Sequence, residues 1–186
     1  YLQNEGTSLN ITGDGTELLI YGNTANSVGG GVVITSASSV TVSSGATLNV
    51  RENNKAMTGS GGGFYLQDTS SRLDVTGDGT KVVVYENTAQ LYGGGIYASH
   101  ASTVAVASGA SLKVWYNDAV TKDGGGFYLT ESTRLDVTGD GTIVLVQSNT
   151  AKTGKGGGVA IVLASSVTVS SGATLNVQYN KAKKGY

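Results

Sequence analysis

A triple glycine returns at 29–31, 61–63, 93–95, 124–126 and 156–158, in steps of 32, 32, 31 and 32 residues. Self-similarity at so long a period marks chains whose units each stack on a neighbour, because no unit can bury an apolar face alone. Two further landmarks keep the same phase. A turn glycine stands at Gly15, Gly45, Gly79, Gly109, Gly141 and Gly172, and an asparagine follows eight residues later at Asn23, Asn53, Asn87, Asn117, Asn149 and Asn180. The intervals between turn glycines run from 30 to 34 residues, so insertions fall outside this constant segment.

The units alternate. Thr-Gly-Asp-Gly-Thr occupies 12–16, 76–80 and 138–142, whereas Ser-Gly-Ala-(Thr/Ser)-Leu occupies 44–48, 108–112 and 171–175. The larger repeat therefore spans two units, roughly 4–66, 67–129 and 130–186, within one domain covering 1–186.

Every unit carries apolar pairs at i and i+2, the period of a strand. The first set is Leu9/Ile11, Val40/Val42, Leu73/Val75, Val104/Val106, Leu135/Val137 and Val167/Val169. The second runs from Leu18/Ile20 and Leu48/Val50 to Leu175/Val177, and the third follows each triple glycine, as in Val32/Ile34 and Phe64/Leu66. Three strands per unit at constant phase predict an all-β fold: a right-handed parallel β-helix (β-solenoid) of six coils. With coils about 4.8 Å apart, the rod would be roughly 29 Å long. Turn glycines supply positive φ between sheets. Asparagines stacked at one corner predict a hydrogen-bonded ladder down the rod.

Composition narrows the classes. Glycine numbers 29 and proline zero without a strict third-position glycine, which excludes collagen, and recurrent Val, Ile, Leu and Thr argue against disorder. The net charge of −1, with lysines gathered only at Lys181, Lys183 and Lys184, argues against nucleic acid as a partner. No apolar run reaches the ~18 residues of a membrane-spanning helix. There is no cysteine and a single His100, which removes disulfides and multi-histidine metal sites.

The run Val84-Tyr85-Glu86-Asn87, followed by Gly94-Gly95-Ile96, resembles the repeats of chlamydial polymorphic outer-membrane proteins and related autotransporter passengers, with Val in place of that family's Phe. The pairing recurs at Ile20–Asn23, Val50–Asn53, Val114–Asn117 and Val146–Asn149 and so covers nearly the whole chain. The resemblance implies a solenoid passenger, secreted or displayed at the cell surface, that mediates adhesion.

Candidate chemistry is sparse. Asp14, Asp78 and Asp140 recur in Gly-Asp-Gly turns. A calcium ion gathers oxygens at about 2.3–2.6 Å, but these carboxylates fall in alternate coils about 9.6 Å apart, so local turn closure is the expected role. Asp74 and Asp136 point outward from the first sheet, and as copies of one surface position they do not make a unique catalytic pair. Tyr65, Tyr97 and Tyr128, with Tyr85 and Trp115, also face outward. This stripe either binds sugar rings or a partner surface, or stabilises its sheets by cross-strand stacking. Leu19, Val83 and Leu145 face outward too and suggest either a lateral contact between rods or a covering loop.

The expectation is thus an extracellular or cell-surface structural or adhesive rod, not an enzyme, without cofactor, metal or membrane insertion. Its expected partners are further copies of the chain, end to end or side by side, or a host or surface glycan or protein. Tyr1-Leu2-Gln3 matches Tyr65-Leu66-Gln67, and Gly185-Tyr186 aligns with Gly154-Lys155, a phase match that fits either a stretch of a longer array or subunits stacked end to end into a filament. The alternative is a carbohydrate-binding or carbohydrate-active β-helix of the lyase or tailspike kind. An ice-binding role is disfavoured because no regular Thr-x-Thr array lies on one face.

Overall fold

A computed structural model describes residues 1–183; Lys184, Gly185 and Tyr186, which carry part of the lysine cluster and the phase match, lie outside the described residues. The described chain is built from strands, and every ladder is parallel. Each strand pairs with its counterpart one coil before and one coil after, giving a β-solenoid of six coils. One full coil comprises Arg72–Thr76 in the first sheet, Lys81–Tyr85 in the second, Thr88–Ala89 in a short row, and Ile96–Ala98 in the third sheet. The first and second sheets have six strands and the third has five, extended by a bridge from Leu2 to Ile34.

The apolar pairs stack in the expected register. Val40, Leu73, Val104, Leu135 and Val167 form one column, and Leu48, Val82, Leu112, Val144 and Leu175 another. In the third sheet Phe64 lies over Ile96 and Phe127, and Leu66 over Ala98 and Leu129. Large and small side chains alternate along each column, and the two long sheets do so out of phase. That fills the bore at the density interiors require, and it gives the two-unit repeat a physical reason. The inner residues of the second to fourth coils are buried. Ile161, in the last strand of the third sheet, and Val169 and Val177 of the sixth coil are 46%, 44% and 50% exposed.

The short row adds a fourth strand to the three expected per coil. Its members are Thr24–Ala25, Lys55–Ala56, Thr88–Ala89, Asp118–Ala119, Thr150–Ala151 and Lys181–Ala182, with Ala56, Ala89, Ala119 and Ala151 buried. A two-residue strand is too short to show alternation in sequence. The triple glycine packs on this row. A Cβ on Gly62 would lie 2.6 Å from the Thr88 carbonyl carbon, and one on Gly63 would lie 2.8 Å from Val84 Cγ1 and 3.1 Å from Asn87 Nδ2. Two backbones approach here with no room for a side chain.

The corner between first and second sheets explains the other alternation. Ser44 and Gly45 both have positive φ, and Ala46 N–H donates to the Ser43 carbonyl at 3.1 Å. In the neighbouring coil Asp14 lies directly over Gly45, 3.2 Å from the place of a Cβ, and Asp78 lies over Gly109 in the same way. An aspartate in one coil thus requires glycine in the next. The corner into the first sheet carries no glycine signal. Ser36 and Ala37, His100 and Ala101, and Glu131 and Ser132 all take positive φ there, with Ser38, Ser102 and Thr133 buried behind them.

Candidate functional site

The asparagine ladder is continuous. Asn54 Oδ1 accepts from Asn23 Nδ2 at 3.0 Å, Asn87 Oδ1 from Asn54 Nδ2 at 2.8 Å, and Asn117 Oδ1 from Asn87 Nδ2 at 3.0 Å. Asn149 Oδ1 accepts from Asn117 Nδ2 at 3.0 Å, and Asn180 Oδ1 from Asn149 Nδ2 at 2.9 Å. From Asn54 onward each Nδ2 also donates to a backbone carbonyl one coil back, as from Asn117 to Val84 at 2.9 Å. Asparagine alone offers an acceptor and two donors at this reach; aspartate has no donor.

One expected rung is corrected. Asn53 is exposed and outside the ladder; Asn54, fully buried, takes the place. The second coil carries one extra residue at this corner, and both Glu52 and Asn53 adopt positive φ where the fourth coil needs only Tyr116. Counting eight from Gly45 therefore stops one residue short.

The aromatic residues form two clusters of different geometry. In the third sheet Tyr65, Tyr97 and Tyr128 lie in register, with rings nearly parallel: 5.0 Å and 8° between the first two, 5.8 Å and 5° between the last two. Tyr92, from the loop before the triple glycine, joins them 4.4 Å from Tyr128. Face-to-face stacking uses the surfaces a sugar ring would contact, so this geometry favours the cross-strand role. Tyr65 donates to Gln67, and burial, with Tyr97 next in effect, pushes its hydroxyl up to about 12. Burial also raises Tyr97 and Tyr128.

The second cluster is splayed. Tyr85 and Trp115 are in register in the second sheet, 5.2 Å apart and tilted by 52°. Tyr116 meets Tyr85 edge to face at 5.9 Å and 89°, and Trp115 at 5.8 Å and 45°. A recess of about 460 Å³ opens beside it, lined by Tyr116, Ser148, Thr150, Tyr179 and Lys181. Sequence reading missed Tyr92, Tyr116 and Tyr179, since strand alternation says nothing about side chains at corners. The available signal was an aromatic immediately before a ladder asparagine, in Tyr116-Asn117 and Tyr179-Asn180.

The carboxylates are scattered. Asp74 is held by Arg72 at 2.8 Å, and Asp136 lies two coils away in the same column. Asp78 accepts from the next backbone N–H, of Gly79, at 3.0 Å, closing its own turn. Among the described residues no group of three or more His, Asp or Glu side chains is placed to hold a metal ion. His100 lies 2.7 Å from Glu131 on an exposed corner, beside a shallow recess of about 550 Å³ that Asp68 and Glu5 also line. Leu19 is 39% exposed, and Val83 and Leu145 are half-buried.

Comparison with models of known protein families, with curated proteins and with solved structures finds no match. The class defined by fold and ladder is a parallel β-solenoid repeat protein.

Proposed function

We propose that this chain is a structural or adhesive rod that works outside the cell, of the kind its resemblance to autotransporter passengers implies. The observation that carries the reading is the unbroken interior. One dry core and one asparagine ladder run through successive coils, and coil length varies only by a few residues. Such a build converts about 32 residues into each further ~4.8 Å of stiff rod. Catalysis is not part of the reading: a solenoid enzyme needs a walled cleft with convergent titratable groups, and here the aspartates are ion-paired, turn-closing or repeated copies. Self-association, end to end or side by side, belongs to the same proposal; Leu19 and Ile143, 39% and 44% exposed on the second sheet, support a lateral contact.

Negative-stain microscopy of material from the source tests it, together with antibody labelling of intact source cells. Rods or fibres at the cell exterior are expected. Labelling only after permeabilisation would overturn the location, and depolymerisation of a polysaccharide by the purified chain would overturn the non-catalytic role. The second reading, carbohydrate binding, draws on the splayed Tyr85–Trp115–Tyr116 cluster.

A further inference from the structure

We propose that the recess between Tyr116 and Tyr179 binds a pyranose ring that carries a carboxylate. The inference deepens the adhesive half of the reading above and rests on it.

At the bend before the ladder asparagine every coil places a residue in the left-handed region, among them Gly22 at φ 67°, Glu86 at 53° and Ser148 at 54°. The turn imposes this conformation on whichever residue stands there, and a small or flexible one fits it with the least strain. Tyrosine nevertheless occupies it at Tyr116 and Tyr179, both at φ 55°. They are 50% and 74% exposed, so burial in the core does not explain them.

The spacing of the pair suits a clamp. The two residues are separated by one intervening coil, hence by about 9.6 Å along the rod. Two carbon contacts of about 3.5–4.0 Å account for most of that span. A puckered sugar ring, thicker than a flat one, fills the remainder. Tyr116 is propped by Tyr85 and Trp115, which reduces the conformational freedom it loses on binding.

The intervening coil provides the floor. Ser148 and Thr150 offer hydroxyls that both donate and accept, which suits vicinal sugar hydroxyls. Lys181 lines the same recess and brings a cationic side chain to it. The nearby carboxylate of Asp118 is held by Lys152 at 2.9 Å. An acidic sugar therefore fits better than a neutral one.

Two acidic probes, sialyllactose and trigalacturonate, distinguish the sources of such a ring; lactose and maltotriose are their neutral counterparts. Calorimetric titration should show binding of at least one acidic probe, tighter than its neutral counterpart. Tyr116→Asn and Tyr179→Asn should each weaken it by roughly tenfold, a small free-energy loss in these terms. Asparagine adopts the left-handed region readily, so Tyr179→Asn should melt with the parent, and Tyr116→Asn, which also loses its contacts with Tyr85 and Trp115, somewhat below it. Lys181→Gln should reduce the acidic probe to the affinity of the neutral one. The proposal is overturned if neither acidic probe binds, if binding survives both tyrosine variants, or if neutral probes bind equally well. Rods seen by microscopy in a protein that binds neither probe would sink the slot and leave the rod standing.

Discussion

Asn53 and Asn54 are chemically identical neighbours with opposite roles. Asn54 is buried, takes Asn23 on one side and reaches Asn87 on the other, and donates to the Ile20 carbonyl. Removing its amide strands several polar groups in a dry corner, at about 1–3 kcal/mol each. Asn54→Ala should therefore lower stability by about 2–4 kcal/mol in urea unfolding. Asn53→Gly should stay within about 0.5 kcal/mol, because Asn53 is exposed and glycine accepts its φ of 67°. The reverse order would show that the ladder runs through the other residue. Tyr65 supports a second test. Its folded-state hydroxyl is raised from 10.0 to about 12, first by burial. The unfolded chain then loses this proton first, so the group's contribution is intact below pH 10 and is lost as pH rises towards 12. Melting temperature should fall across that window, and Tyr65→Phe should flatten the fall. An unchanged slope would mean that Tyr65 ionises as freely in the folded rod as in the open chain.

Among the elements, the triple glycine and the ladder are two sides of one contact. The third glycine of each triplet faces the next coil's asparagine and valine: Gly95 meets Asn117 Nδ2 and Val114 Cγ1, as Gly63 meets Asn87 and Val84. Gly63→Ala forces a methyl group against backbone, so a loss of about 3 kcal/mol or more is expected in urea unfolding. Gly15→Asn, with open space around it and φ +72°, should cost no more than about 1 kcal/mol. Equal effects would mean that the triplet is a flexible hinge and not a packed seam. The same contrast shows what sequence could reveal. The three sheets were legible because apolar pairs such as Leu73/Val75 alternate at period two and recur at fixed phase. The short row was not, because Thr88–Ala89 is too brief to alternate. The glycine-free corner at His100 and Ala101 was hidden because its positive φ values are imposed by packing between coils, not by residue type. Of the candidate site, Tyr85 and Trp115 were visible as outward strand residues, whereas Tyr116 and Tyr179 sit on a bend whose direction only the ladder determines.

For the whole molecule, the decisive property is that each coil touches only the coils beside it. Stability is then a sum of coil terms and neighbour interfaces, and an inner coil is held by two interfaces where an outer one has a single interface. Burial follows that division: Val104, Val106, Leu112 and Val114 are fully buried, whereas Val169 and Val177 are 44% and 50% exposed. In residues 1–186 taken alone, amide hydrogen exchange should consequently be graded along the rod, slowest in Thr103–Ala107 and Ser111–Trp115 and faster in the edge strands Ser8–Thr12 and Ser166–Ser170. A lesion should spread according to its place. Asn117→Ala breaks the ladder in the fourth coil and should accelerate exchange in the third and fifth as well, because it strands Asn87 on one side and Asn149 on the other. Asn180→Ala should loosen chiefly the sixth coil, since among the described residues its hydrogen bonds to another coil run to Asn149 and the Val146 carbonyl. Uniform exchange in every coil, unchanged in pattern by either substitution, would mean that the rod opens all at once and that neighbour-only coupling does not govern it.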